Sequence, residues 1–327
     1  MRGMVMAAGL GTRLRPLTYE VPKPMVPVVN RPIMEHILAL LPRHGLRDVI
    51  ANLHWFPETI RNHFGDGSAF GVDLTYSYED ELMGTAGGVR NVASFFGDEP
   101  FLVMAADALT DIDLTALRAA HDSNGGIATL AVKRVPNVSE FGVVITDAEG
   151  RVQGFQEKPD PAEALSDLAS CMIYVLEPQI FDYFPDEHAV DFAREVFPAL
   201  LENDIPFHVH EIDDYWNDVG SLPEYIQGNM DALEGAVAVE GGGTLLDPAG
   251  GEEAVEAGEP GIHGPVLVGE GCELDPGARL DGPLVIGDGS SVGAGALIRH
   301  SVLLPGSQVT PGAIVAGGVH GRAGSLA

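Results

Sequence analysis

Near the amino terminus, Ala8-Gly9-Leu10-Gly11-Thr12-Arg13, with Lys23 ten residues further on, combines the groups that phosphate binding needs. Glycines at 9 and 11 let a backbone loop approach an anion closely, and its N–H groups can cradle the charge. Arg13 supplies a forked cation and Lys23 a point charge. The chain has only three lysines, Lys23, Lys133 and Lys158, against a net charge of −30. A basic residue at such a position is therefore informative. Two common phosphate loops are excluded. The dinucleotide fingerprint would need a glycine where Leu14 stands, and no Gly-Lys-Ser/Thr ending exists for a P-loop. Gly9 and Gly11 alone would be an ordinary strand-to-helix turn; Arg13, Arg15 and Lys23 tip the reading toward an anion site.

Two further places hold groups of the right type. Asp107 follows the apolar run FLVMAA (101–106), and open α/β sheets place ligands at the carboxyl ends of such strands. By itself an aspartate there is more often a cap or turn former. Glu157-Lys158 spends a second of the three lysines, although an isolated pair would be a solvated surface pair. His36, His44 and His63 fall on predicted helices without metal-type spacing. Asp111 and Asp113 read as turn and cap residues.

Positioning such residues requires rigid elements. Residues 3–8, GMVMAA, predict a buried strand entering the glycine loop. Pro32 opens an amphipathic helix to about Leu41, with Ile33, Ile37, Leu38 and Leu41 on one face. DVIANL (48–53) predicts a strand, residues 57–64 a helix, 72–78 a strand, 101–106 a buried strand, and LTALRAAHDS a helix. Later strands are expected at 127–133, 141–145, 151–156, 171–176 and 207–212. Such alternation predicts an α/β fold, a Rossmann-like, mostly parallel sheet with helices on both faces, over residues 1–233. Residues 234–263, rich in Gly, Ala and Glu, predict a connector.

A period of six then sets in. Val268, Leu274, Leu280, Ile286, Val292, Ile298 and Leu304 fall six apart, Thr310 continues the frame, and Gly and Pro recur between them. Repeats of fixed period stack into solenoids, and residues 264–327 predict a short left-handed parallel β-helix of three hexapeptides per coil. Its coil ends and flat apolar face predict a role in assembly, hence a homo-oligomer.

Composition narrows the partners. The acidic balance argues against nucleic acid and anionic membranes. Cys171 and Cys272 stand in dissimilar contexts, supporting neither a disulfide framework nor a zinc site. With no long apolar run and no signal-peptide pattern, a cytoplasmic location is expected.

The stretch GLGTRLRPLT…PKPMVPVVNRPI resembles the signature of the sugar-1-phosphate nucleotidyltransferases, the sugar-nucleotide pyrophosphorylases. The likeness continues in GTAGG (84–88), DALTDIDL (107–114), FGVV (141–144), FQEKP (155–159) and YWNDVG (215–220), over about 230 residues in the family's order. The wording of the first motif and the hexapeptide tail resemble the bacterial mannose-1-phosphate guanylyltransferase-like branch. The resemblance implies a nucleotidyl group passed from an NTP, GTP on the branch likeness, to a sugar 1-phosphate, with Mg²⁺ as cofactor and pyrophosphate as leaving group. Glucose-1-phosphate uridylyl or thymidylyl transfer is the alternative, with a non-catalytic sugar-nucleotide-binding homologue behind it.

Residue by residue, the resemblance assigns Asp107 and Asp218 to the metal, and Arg13, Lys23, Lys158 and Asp107 to catalysis. It assigns Ala8, Gly9, Gly11, Thr12, Arg13, Lys23, Gly84, Thr85 and Gly87 to the nucleotide. Gly142, Glu157, Lys158, Ser170 and Met172 occupy the positions of the sugar-phosphate site. Three departures stand out. Ala106 replaces a glycine before the metal aspartate, and Ser170-Cys171-Met172 replaces Asn-x-Gly, so the changed side chains at 170 and 172 lie on the sugar side. Ser is shorter than Asn and has a smaller set of donors and acceptors. An altered sugar preference with retained chemistry is the expectation.

Overall fold

The computed structural model describes residues 1–246, 260–322 and 324–326. The part of the expected connector at 247–259 lies outside the described residues. The chain forms two compact units that do not follow it in order. The first comprises Met1–Leu10, Ile37–Ala108 and Ile112–Trp216; the second comprises Gly11–His36, Leu109–Asp111 and Asn217–Ala327. Among the described residues, no helix is long and apolar enough to cross a membrane.

The first unit is built on a nine-stranded sheet. Its strands are β1 (Gly3–Met6), β2 (Asp48–Leu53), β3 (Asp73–Tyr78), β4 (Phe101–Ala105), β5 (Ala128–Arg134), β6 (Gly142–Thr146), β7 (Val152–Glu157), β8 (Leu168–Leu176) and β9 (His208–Glu211). Strands β4, β1, β2 and β3 lie side by side and parallel. Successive residues of a strand face opposite sides, and Met4, Val5, Val103 and Met104 are all fully buried. Both faces of this half are therefore covered, as the apolar runs predicted.

The other half corrects the expectation of a mostly parallel sheet. β8 runs antiparallel to β4, β5 and β6, and β7 antiparallel to β6; only β9 pairs parallel, with β5. A parallel crossover needs a dozen or more residues. The link between β6 and β7 is shorter, so β7 can only turn back on β6, whereas β5 and β6, both antiparallel to β8, run in the same direction. β8 carries a bulge between Ser170 and Tyr174, where Met172 sits at φ 56°. The core on this side is aromatic, with Tyr174, Phe192, Phe197 and Phe207 buried together.

In the second unit the tail forms three short sheets visited in rotation. Gly261–His263, Arg279–Asp281, Leu297–Arg299 and Ile314–Ala316 stack parallel in one. Val266–Val268, Leu284–Ile286, Val302–Leu303 and Val319–Gly321 stack parallel in the second, and Glu273–Leu274, Ser291–Val292 and Gln308–Val309 in the third. The first rung begins at Gly261, inside the expected connector, and Thr244–Leu246 pairs antiparallel with Val266–Val268.

Up to Thr310 the six-residue frame slips once, and the following coil is one residue short again, Leu303 pairing with His320. Ile262, Leu280 and Ile298 are stacked eighteen apart, but Ile286 pairs with Leu303 and Val292 with Val309, seventeen apart. Leu303 and Val309 are the buried residues, whereas Leu304 is half-buried and Thr310 exposed. The cause is a corner. Gly264-Pro265 and Gly282-Pro283 turn the first two coils, and the third turns one residue sooner, with His300 in a left-handed conformation at φ 43°.

Helix α1 (Ile33–Leu40) begins beside a buried histidine. His36 is 6% exposed, its Nε2 lies 3.1 Å from the Val28 carbonyl, and burial lowers its pKa. The folded chain resists a proton that the unfolded chain accepts near pH 6.5, so this contribution is complete above that value. It begins to fall as the pH drops below about 6.5 and is gone once the pH has passed the lowered folded value. His121, also buried and lowered by desolvation, acts in the same direction. The melting temperature is expected to decline below about pH 6.5, and His36→Gln to decline less steeply. An unchanged slope in that variant would contradict the assignment.

Candidate active site

Within the second unit, the phosphate loop is fixed by close packing. Gly11 has φ 59°, and a Cβ there would stand 2.9 Å from the Cβ of Lys23 and 3.0 Å from Thr18 Cγ2. Thr18 Oγ1 donates to the Gly11 carbonyl at 2.8 Å. Gly9, in the first unit, faces open space, which suits a backbone that a ligand approaches. Thr12 opens a single 3-10 turn, Thr12–Leu14, placing Arg13 at the surface.

Lys23 does a task that its charge alone did not reveal. It is 6% exposed, and its Nζ donates to the backbone carbonyl of Asp218 at 2.7 Å. Arg13 Nη2 stands 3.2 Å from Asp218 Oδ2, and the Gly220 N–H donates to Asp218 Oδ1 at 3.2 Å. Gly220 is required here. A Cβ would come 2.5 Å from Arg13 Nη1 and 2.7 Å from Asp218 Oδ2. Between them Val219 takes φ 45°, an outlier for a β-branched residue. Its N–H is held by Asn217 Oδ1 at 2.8 Å. Strain maintained by such contacts clusters at functional sites.

The first unit positions the residues that the resemblance assigns to the sugar phosphate. Gly142 pairs with Glu157 across β6 and β7, and a Cβ on Gly142 would lie 3.1 Å from the Glu157 carboxylate. Lys158 is exposed at φ 47°, held by its N–H to the Phe141 carbonyl at 3.0 Å. Trp216 packs against Phe141 with ring centroids 5.4 Å apart, and its buried Nε1–H has no hydrogen-bond partner among the described residues. Leaving such a donor unpaired costs about 1–3 kcal/mol, so it marks a place where a ligand oxygen would be welcome. The tryptophan of YWNDVG was visible in the sequence, but only its aspartate drew attention.

Ser170 and Met172 are half-buried in the β8 bulge, and both contact Tyr174. The Tyr174 hydroxyl lies 3.3 Å from Ser170 Oγ and donates to Met172 Sδ at 3.1 Å. Burial raises its pKa, so it stays protonated and available as a donor. Met172 occupies a left-handed position, the conformation for which glycine is the usual residue. Asp107 is half-buried just beyond β4, and Ala106 before it is fully buried with its N–H on the Met6 carbonyl at 3.0 Å. The extra methyl group is accommodated.

Gly84, Thr85 and Gly87 open helix α3 (Gly84–Asn91), and their visible contacts are structural. A Cβ on Gly84 would collide with the Val190 carbonyl, to which Ala86 and Gly87 donate at 2.9 and 3.0 Å. Thr85 Oγ1 donates to Asp191 Oδ2 at 2.8 Å. The motif therefore docks residues 188–192 onto α3.

Two residues here escaped the sequence analysis, Asn52 and Glu79, both buried at the ends of parallel strands. Asn52 Oδ1 accepts the Ala7 N–H at 2.9 Å, and its amide donates to Glu79 Oε1 at 2.7 Å. Glu79 Oε2 accepts the Met83 N–H at 3.0 Å. A Cβ on Gly88 would intrude on both side chains. This relay joins the start of the phosphate loop to α3. The available signal was a polar pair at carboxyl strand ends, where ligands bind.

The charged groups assigned in each unit are cations and carboxylates, without a paired nucleophile and base among them. Such a set suits displacement at phosphorus, where catalysis is positioning and charge stabilisation. Among the described residues, no group of three or more His, Cys, Asp or Glu could hold a metal ion. Two carboxylates alone suit Mg²⁺, which keeps most of its positions for phosphate oxygens and water. Asp107 in the first unit and Asp218 in the second are each the kind of oxygen ligand that ion takes.

These features define a phosphate-handling transferase, and comparison with known proteins names the family. A family model for nucleotidyl transferases matches residues 2–235. A UTP–glucose-1-phosphate uridylyltransferase of Synechocystis sp. is 37% identical over 96% of this chain and 85% of its own. A mannose-1-phosphate guanylyltransferase of Mycobacterium tuberculosis is 37% identical over 91% of this chain and 82% of its own. The crystal structure of a candidate glucose-1-phosphate thymidylyltransferase from Bacillus anthracis shares the fold. Its TM-score is 0.65 at 22% identity, covering 74% of this chain and 97% of that one. The chain belongs to the nucleotidyl transferase family, among the sugar-1-phosphate nucleotidyltransferases.

Proposed function

We propose that the protein transfers a nucleotidyl group from a nucleoside triphosphate, GTP in the reading its first motif favours, to a mannose 1-phosphate-like or modified sugar 1-phosphate. A phosphate oxygen of the sugar phosphate attacks the α-phosphorus in line, the α–β P–O bond breaks, and pyrophosphate leaves. No covalent enzyme intermediate forms. The observation that carries the reading is the Arg13–Asp218–Gly220 arrangement, with Lys23 fastened to the same loop.

Asp107 and Asp218 would hold Mg²⁺, which when bound supplies positive charge to the phosphate oxygens. Arg13 exchanges its contact with Asp218 for the triphosphate and the departing pyrophosphate. Lys23 holds the loop of Asp218 in place and adds charge beneath it. Lys158 steers the attacking phosphate, and Glu157 accepts hydrogen bonds from sugar hydroxyls. Gly142 leaves room for that carboxylate. The tail is a left-handed β-helix that also supports self-association, in a cytoplasmic enzyme.

The uridylyltransferase relative favours a second reading, UTP with glucose 1-phosphate. A kcat/KM matrix of GTP, UTP, dTTP, ATP and CTP against several sugar 1-phosphates decides between them. Turnover with no pair would defeat both.

The sugar side carries its own prediction. Ser170 and Met172 are tied to Tyr174 and lack the amide reach of an asparagine. The wild type is expected to use a deoxy, epimeric or ring-modified sugar phosphate better than mannose 1-phosphate. Ser170→Asn with Met172→Gly should move the ranking toward common hexose 1-phosphates by about 1–3 kcal/mol in relative kcat/KM, the worth of one or two pocket contacts. A strong wild-type preference for mannose or glucose 1-phosphate, unmoved in the double variant, would show that these substitutions only repack the bulge.

A further inference from the structure

We infer that Asn30 is a positioning residue for the nucleotide: it fastens the phosphate-binding segment to the repeat tail, and so gives the tail a part in substrate binding. The Asn30 Nδ2 group donates to the Ile286 carbonyl at 3.0 Å and to the Gly242 carbonyl at 3.2 Å. Ile286 is fully buried and belongs to the tail strand Leu284–Ile286. The amide therefore adds a second hydrogen bond to a tail carbonyl that also accepts the Gly269 N–H at 2.8 Å, and holds a carbonyl of the chain leading into the tail.

Neighbouring contacts make the attachment rigid. The Gly242 N–H donates to the Val29 carbonyl at 2.8 Å, and a Cβ on Gly242 would come 3.0 Å from the Asn30 carbonyl. The Val29 N–H is taken by the side chain of Asn229, which is fully buried, at 2.8 Å. Tyr225 donates its hydroxyl to the Pro27 carbonyl at 2.7 Å. Val29 and Asn30 both lie in the left-handed region, at φ 43° and 64°. Asparagine tolerates that conformation and valine does not, so outside contacts must hold the loop there.

The circuit closes on Asp218. From Asn30 the chain runs back through buried Val28 and Val26 to Lys23, whose ammonium holds the Asp218 carbonyl. Asp218 lies just before the helix Leu222–Leu233, which carries Tyr225 and Asn229. The two ends of the circuit are directed hydrogen bonds, and the segment between them is a short stretch of chain with buried side chains at Val28 and Val26. A displacement at Ile286 is thus passed to Lys23 and to the loop of Asp218, against which Arg13 stands. The expected role of the tail was assembly alone; Asn30 adds alignment of the phosphate site. This rests on the reading of Arg13 and Lys23 as triphosphate residues.

The test uses the full chain with Asn30→Asp, Asn30→Gly and, as a control, Lys23→Met. Aspartate and glycine both accept the left-handed backbone, but neither offers the amide N–H groups, and aspartate sets a carboxylate against two carbonyls. Asn30→Asp is expected to raise the KM for the nucleoside triphosphate about tenfold and Asn30→Gly about threefold, with the sugar-phosphate KM within about twofold, because lost alignment acts on the substrate it aligned. Amide hydrogen exchange over residues 23–29 should quicken in both variants. An unchanged nucleotide KM in both, with or without a lower melting temperature, would overturn the inference, as would an equal rise in both KM values. If Lys23→Met itself leaves the nucleotide KM unchanged, the reading of this segment as the triphosphate site fails instead.

Discussion

Replacing Asp218 with Asn is expected to lower kcat by about 10²-fold or more at saturating Mg²⁺, a magnitude typical of lost electrostatic stabilisation. Asparagine keeps the shape of the side chain, and its carbonyl still accepts the Gly220 N–H. What it removes is the charge that faces Arg13 and, in the proposed function, the metal. The side chain is 18% exposed and sits in a loop, so little core depends on it. The melting temperature should move by only a few degrees, as for a surface loop change. Asp107→Asn is expected to lose activity on the same scale, also with the fold intact. Near-normal turnover in either variant, measured across a Mg²⁺ titration, would remove that residue from the metal site.

Gly220→Ala should be nearly as damaging to activity without touching a charged group. Its Cβ would press on Arg13 Nη1 and Asp218 Oδ2. The Arg13 side chain is about half exposed and flexible, so it would swing outward at little cost to stability. The lost geometry is expected to reduce kcat/KM by about 10- to 100-fold, the range for a misplaced charge-stabilising group. Because the methyl acts through Arg13, Arg13→Ala and Gly220→Ala should be strongly non-additive. Full additivity in the double variant would show that Gly220 serves some other purpose.

Much of this was legible in the residues. FLVMAA is an uninterrupted apolar run and DVIANL a mostly apolar one, and both form buried parallel strands, as such runs suggest. GLGTR and the three-lysine arithmetic marked a candidate phosphate segment, because charge in an acidic chain is conspicuous wherever it is positive. The reversal of β7 on β6 was also within reach, since the short link at 147–151 leaves no room for a crossover helix.

Other features depend on tertiary contacts that no local pattern encodes. Lys23 looked like a point charge for a ligand, and its second duty to the Asp218 carbonyl exists only because residues nearly two hundred apart meet. Gly84 and Gly87 fit a base-binding loop by resemblance, and nothing in the local residues pointed to Val190 as their close neighbour in the structure. The hexad slip was hidden by composition. Leu303 and Leu304 are both leucine, so the aliphatic frame reads through a corner that is one residue shorter.

The central claim, direct nucleotidyl transfer between two bound phosphates, is tested most directly by following the α-phosphate. The wild-type chain, Mg²⁺, the best nucleoside triphosphate from the substrate matrix and its sugar 1-phosphate are mixed, with label at the α-position in one reaction and at the γ-position in another. The α-label is expected to appear in the nucleoside diphosphate sugar, and the γ-label in pyrophosphate, in equal amounts and with no label retained on the protein. Label held on the protein after denaturation, or γ-label recovered as inorganic phosphate without added pyrophosphatase, would contradict the account.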